Sequence, residues 1–199
     1  MEIILQYVDK IGLTGIIVAI TAFLVGMKFP DWDFKMKLQH RNILTHSPLF
    51  LLLLMELYKR ERNETFRFFI VGFALALAIH FIFDFFPKGW SRGALLHLPV
   101  ARVALSPRIS QILFIIFIGT SLYMALRMIK SYEEFVFFIL LGIWTFLKNT
   151  VKEEKFFRPC ILFLILFLFM GSMKFDEVGK NISRGTREIA GYVKSITKR

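Results

Sequence analysis

Cysteine is all but missing from this chain. The single Cys160 among 199 residues excludes an internal disulfide and any thiolate-built metal site. Placed after Pro159 at the head of an apolar run, it reads as a small packing residue. The His-Glu-x-x-His pair of zincin-type proteases is absent, and so are a Ser-Gly-His segment, an internal repeat and a low-complexity linker. Acidic residues are the minority, 15 Asp and Glu against 26 Lys and Arg, for a net charge of +11. In a soluble chain such an excess would suggest nucleic acid. Here the cations fall in short clusters between apolar blocks, with no basic face interleaved with aromatics, so no nucleic-acid partner is expected. They read instead as flanks of membrane helices that meet lipid headgroups. No basic segment precedes the first apolar stretch and no small-residue cleavage site follows it, which predicts an uncleaved first membrane helix rather than a signal peptide.

What the chain does have is grease. It is 56% hydrophobic with 24 Phe, and its mean hydropathy is +0.58. Six apolar blocks can be read: Ile11 to Met27, Pro48 to Tyr58, Phe66 to Phe86, Ile109 to Met128, Phe135 to Leu147 and Pro159 to Met173. About 20 residues are needed to cross a bilayer core. Blocks one, three and four reach or approach that length; the others need their flanks, a tilt or a re-entrant path. The expected fold is all-α: a multi-pass transmembrane bundle of five or six membrane helices over residues 1–173, followed by a basic tail over 174–199. Ser47-Pro48 predicts an N-cap and first helical residue. Pro87 with Gly89 ends the third block, and Pro159 opens the sixth. In the tail, Phe175, Val178, Ile182, Ile189, Val193 and Ile196 recur at three- and four-residue steps, one apolar stripe on a helix whose other faces carry Lys and Arg. Two readings stand: an interfacial helix held to anionic lipid, or a solvated tail loosened by Gly179, Gly185 and Gly191.

Carboxylates and imidazoles are costly near lipid unless they bind something, and here they are concentrated. Pro30-Asp31-Trp32-Asp33, His40-Arg41 and Thr45-His46-Ser47-Pro48 lie between blocks one and two, within a loop over residues 28–47, and His80-x-x-x-Asp84 lies at the far end of block three. If each block crosses once, both pieces meet the same face. Residues four apart project from one side of a helix, so His80 and Asp84 form a bidentate pair. Asp31 and Asp33, two apart behind a proline, would point to one side of an extended segment. Asp31, Asp33, His40, His46, His80 and Asp84 thus form a mixed nitrogen and oxygen donor set. It suits a divalent metal, Zn first, Mn or Fe as alternatives, and one or two ions. Arg41 would either clamp a substrate phosphate or carboxylate, or bridge to Asp31 or Asp33; Arg92 has the same two readings. His97, between two leucines, reads as a buried structural histidine, Trp32 and Trp90 as interfacial anchors, and Thr45 and Ser47 as loop and cap hydrogen bonders.

The ordered set Pro30-Asp31-x-Asp33, His40-Arg41-x-x-x-Thr45-His46-Ser47 and His80-x-x-x-Asp84 resembles the membrane-bound metal-dependent hydrolases, also described as LexA-binding, inner-membrane-associated hydrolases. The resemblance covers residues 10–97. It implies a protein integral to the cell membrane of a bacterium or archaeon. A metal-activated water would attack a phosphoester or acyl bond there, in a lipid or lipid-linked substrate, with Asp33 or Asp84 as general base. The family's Thr-His before the first apolar run has no counterpart; Asp9 and Thr14 stand there without a histidine. Two other classes compete. One is a membrane protein that binds or transports a metal ion or protons without hydrolysis. The other is a metal-free lipid phosphatase, for which Lys152 and Arg158-Pro159 stand in the wrong order. Under six crossings, 12 Lys and Arg fall in the loops of the site face, against 7 in the loops and N-terminus and 7 in the tail on the other; short loops count most, so the site face is expected to be cytoplasmic.

Overall fold

The computed structural model describes residues 12–99, 103–149 and 157–196. Among them the chain forms eight α-helices and no strand: α1 (Leu13–Lys28), α2 (Trp32–Lys35), α3 (Leu49–Arg60), α4 (Glu64–Asp84), α5 (Pro107–Met128), α6 (Tyr132–Asn149), α7 (Phe157–Ser172) and α8 (Asp176–Ile196), with a 3₁₀ turn at Arg92–Ala94. The all-helical expectation holds. Among the described residues two helices, α4 and α5, are long and apolar enough to cross a membrane, against the five or six expected. Helices α1 and α7 are apolar but 16 residues each, about 24 Å at 1.5 Å per residue.

Helix α4 is the axis of the fold, buried along most of its length. Its most extensive partner is α1. Gly15, Ala19, Ala22 and Gly26 line one face of α1 and are buried, a small-residue stripe that lets two helix backbones approach closely. The contact is tight. A Cβ added to Gly72 of α4 would lie 2.2 Å from the Ala19 carbonyl oxygen, and one added to Gly26 would lie 2.8 Å from Ala76 Cβ. Phe81 packs on Phe114 of α5, Phe163 and Phe167 of α7 pack on Phe146 and Phe135 of α6, and Phe73 packs on Phe29 and Phe50 on the other side of α4.

Local signals set the helix ends. Asn63 caps α4, its side chain accepting from Thr65 N–H at 2.7 Å and Phe66 N–H at 3.4 Å. Ser106 caps α5 from Ile109 N–H, with Pro107 at the first helical position. The same reading at Ser47-Pro48 is off by one residue. Helix α3 starts at Leu49, and Ser47 Oγ accepts from Leu49 N–H at 3.4 Å. Trp90, expected at an interface, is half-buried against Phe85 and Phe114; Trp32 is 37% exposed.

The two ends of the bundle differ. At one end the C-termini of α1 and α4 meet residues 29–48 and the approach to α5. At the other, the buried Arg67 guanidinium of α4 donates to both Glu134 oxygens of α6, at 2.7 and 2.8 Å, and to the Met128 carbonyl. Lys174, in the turn after α7, donates to the carbonyls of Leu126, Arg127 and Ile129, closing the C-terminus of α5. Helix α8 starts there: Phe175 packs on Phe135, Val178 is buried, and Asn181 donates to the Tyr132 hydroxyl at 3.1 Å. The tail is therefore helical, at the end opposite residues 29–48. Asp9 and the side chains of Arg92, Ile189, Val193 and Ile196 lie outside the described residues.

Candidate metal centre

The loop after α1 is folded around one buried carboxylate. Asp33 is fully buried. Its Oδ1 accepts from Phe34 N–H at 2.7 Å, and its Oδ2 accepts from Arg41 N–H at 2.7 Å and faces His40 Nδ1 at 3.3 Å. Lys37 and Arg41 adopt positive φ, 56° and 57°, a conformation that costs a non-glycine residue roughly 1–2 kcal/mol; the Asp33 bonds hold it in place. His97 staples the far side, accepting from Ile43 N–H and donating to the Arg41 carbonyl, both at 3.0 Å. The Asn42 carbonyl then accepts from Thr45 N–H, His46 N–H and Thr45 Oγ, a tight turn that drives His46 into the interior.

Four donors converge where this loop meets α4. His80 Nδ1 lies 3.0 Å from the Met27 carbonyl oxygen, which can only accept. The proton is thereby placed on Nδ1, and Nε2 is left as a bare lone pair. That Nε2 faces Asp84 Oδ2 at 3.5 Å and Asp31 Oδ1 at 3.9 Å. His46 Nδ1 faces Thr45 Oγ at 3.2 Å and Asp33 Oδ2 at 3.7 Å. Thr45 Oγ gives its own proton to the Asn42 carbonyl and therefore accepts from Nδ1–H, so His46 Nε2 points its lone pair at Asp84 Oδ2, 3.4 Å away. Both atoms are buried and neither has a hydrogen-bond partner. Two electron-rich atoms facing each other in a dry pocket are mutually repulsive unless a cation lies between them. Ligands about 2.0–2.2 Å from a tetrahedral ion lie about 3.3–3.6 Å apart. The His46–Asp84 and His80–Asp84 separations fall in that range, with Asp31 slightly outside it. The donor set fits a zinc-class ion.

At His46 the electrostatics agree with this geometry. Burial, reinforced by the neighbouring His80, His40 and Arg41 and opposed by Asp84, lowers the His46 pKa to about 3. The imidazole is therefore neutral at physiological pH, the form a metal requires. Arg41, 7% exposed, donates from Nη2 to Asp84 Oδ1 at 2.9 Å and from Nη1 to the Ala94 carbonyl at 2.6 Å, and it lies over the Phe114 ring. It fixes Asp84 with Oδ2 turned toward the two histidines.

Five of the six expected donors form two groups that share His46, and the sixth, Asp84, faces both His46 and His80. Asp31 and His80 lie with His46 on one side, Asp33 and His40 on the other. Two expectations change. Asp31 and Asp33 do not point the same way: the segment turns into helix α2 instead of extending, leaving the Asp31 side chain 54% exposed beside His80 and the Asp33 side chain fully buried beside His40. Arg41 pairs with Asp84 rather than with Asp31 or Asp33. His97 contributes its backbone and belongs to neither group. The reading missed Asn42 and the Met27 carbonyl. Asn42, four residues before His46, carried a legible turn signal, whereas a backbone carbonyl has no residue-type signal.

No family model, curated protein or solved structure matches the chain, so its functional reading stands on this constellation of residues.

Proposed function

We propose that this chain is an integral membrane, metal-dependent hydrolase whose ion is held by His46, His80, Asp84 and Asp31. The observation that carries the reading is the pair of buried, unpartnered atoms, His46 Nε2 and Asp84 Oδ2, facing each other beside His80 Nε2. A zinc-class ion in that position supplies Lewis acidity and brings the pKa of a coordinated water toward 7. Mn or Fe suits the same donors.

The protein's own groups have separable roles. Arg41 orients Asp84. Asp33 orients His40, whose side chain is 37% exposed at the open side of the site, so the proton of an attacking water passes to His40 Nε2 while Asp33 stabilises the imidazolium. Asp31, also open to the outside, is the donor most easily displaced by substrate.

The membrane reading draws support from what the helices expose. Ile115 and Ile116 of α5, Leu140 of α6, and Ile165 and Phe169 of α7 are each more than half exposed. A soluble protein rarely presents so much contiguous apolar surface. In this reading α1 and α3 to α7 cross or enter the bilayer, tilted or thinning it where they are short, in the inner membrane with the site toward the cytoplasm. Beside the site, Trp32, Phe34 and Met36 are exposed next to Lys35 and Lys37, which suits a phosphoester or acyl bond in an amphiphilic, lipid-linked substrate.

Elemental analysis of protein purified without chelators tests the reading. About one equivalent of metal is expected in the wild type, with large losses in His46→Ala and His80→Ala. Metal-free wild-type protein, or metal retained in both variants, sinks it. Bound metal without turnover across a panel of phosphoesters and lipid esters would favour the competing reading, a metal-binding or transport protein.

A further inference from the structure

The end of the bundle away from the metal site carries a groove of about 410 Å³, lined by Tyr123, Leu126 and Arg127 of α5 and by Met170, Met173 and Lys174 around the end of α7. Helix direction orders these residues. Both α5 and α7 terminate at this end, so Tyr123 lies one turn deeper than Arg127, and Met170 one turn deeper than Met173 and Lys174. The groove is apolar inward and cationic at its outer rim. Ile165 and Phe169 of α7 and Met173 just after it are exposed at four-residue steps, so the apolar track continues along the outside of the bundle away from the cations. The Lys174 ammonium is fixed at the rim by three carbonyls. Arg127 is exposed and has no acidic partner among the described residues.

We propose that this groove is a binding site for an anionic phospholipid, with an acyl chain along Tyr123, Met170 and Met173 and the phosphate on the Arg127 guanidinium beside Lys174. The polarity of the groove is that of the ligand: hydrocarbon inward, negative charge outward. An Arg fork suits a phosphate bidentately. A zwitterionic lipid would offer the same tail but set its own ammonium near two cations.

The proposal rests on the membrane reading but not on the metal site. The full chain, delipidated in detergent, is incubated with equal dioleoylphosphatidylglycerol and dioleoylphosphatidylcholine and examined by native mass spectrometry. The expected result is one retained phosphatidylglycerol per chain, favoured about fivefold or more. Arg127→Gln brings the two lipids near parity, and Lys88→Gln, an exposed site at the opposite end of the bundle, leaves the preference intact. Equal retention by the wild type, or an undiminished preference in Arg127→Gln, overturns the proposal. So does a lipid-free dimer, which would assign the groove to a second copy of the chain. A chain that is monodisperse in buffer without detergent would instead overturn the membrane reading.

Discussion

His80 donates its Nδ1 proton to the Met27 carbonyl, 3.0 Å away across the crossing of α1 and α4. This bond ties helix packing to metal chemistry. The carbonyl reaches the ring because Gly72 lets the Ala19 backbone come within van der Waals contact of α4, and the bond leaves Nε2 free for an ion.

Widening that crossing should empty the site. In Gly72→Val the added Cβ meets the Ala19 carbonyl at 2.2 Å. The expected cost is about 1–3 kcal/mol of stability, with at least a tenfold loss of zinc affinity as Met27 moves away from His80. Gly119→Ala, where a Cβ meets nothing within 4 Å, is the control and should be neutral or mildly stabilising. Thermal unfolding in detergent and zinc titration read both effects; unchanged zinc affinity in Gly72→Val would break the link.

Arg41 acts on the ion through Asp84. Arg41→Lys keeps the charge but loses the two-nitrogen hold on Asp84 Oδ1 and the Ala94 carbonyl. Zinc affinity should fall about 10–100-fold while helix content stays the same. Competition titration against a chromophoric chelator measures it, and wild-type affinity would mean that Arg41 does not position Asp84.

Acid should destabilise the metal-free protein through His46. Its imidazole takes a proton near pH 6.5 when unfolded and near 3 when folded, so between those values the unfolded state binds the extra proton. Its contribution is fully present above about pH 6.5 and is lost on the way down to pH 3, at a slope approaching about 1.4 kcal/mol per pH unit. His46→Gln should flatten the stability profile over pH 4–6. Superimposable slopes for the two proteins would refute the assignment.

At the opposite end, Arg67 and Glu134 form a buried bidentate pair. Arg67→Met alone leaves an uncompensated carboxylate and should cost about 3–5 kcal/mol, and Arg67→Met with Glu134→Leu should cost less than the single change. Denaturant unfolding of the two variants checks this. A double variant less stable than the single would show that the pair contributes net stability.

Most of the helices were legible because long apolar blocks leave few alternatives, and Ser47-Pro48, Pro87 and Pro159 each fall near a helix end. The membership of the site was legible for a related reason: six imidazoles and carboxylates in a greasy chain stand out as expensive. The direction of each donor was not. Asp31 and Asp33 share a two-residue spacing that extended and helical backbones interpret oppositely, and the turn into α2 was invisible in the pattern. Nor could spacing show that Arg41 would reach across 43 positions to Asp84.

Residue chemistry and periodicity were enough to establish an all-helical chain with a His and Asp cluster at one end, because hydrophobic burial and the expense of buried polar groups act on composition. Which lone pairs face each other, which tautomer each histidine holds and which carboxylate is sealed inside the loop came from the folded arrangement. Those properties depend on contacts between distant segments, set by how closely α1 lies against α4 and where the loop from Asp33 to His46 is stapled by His97.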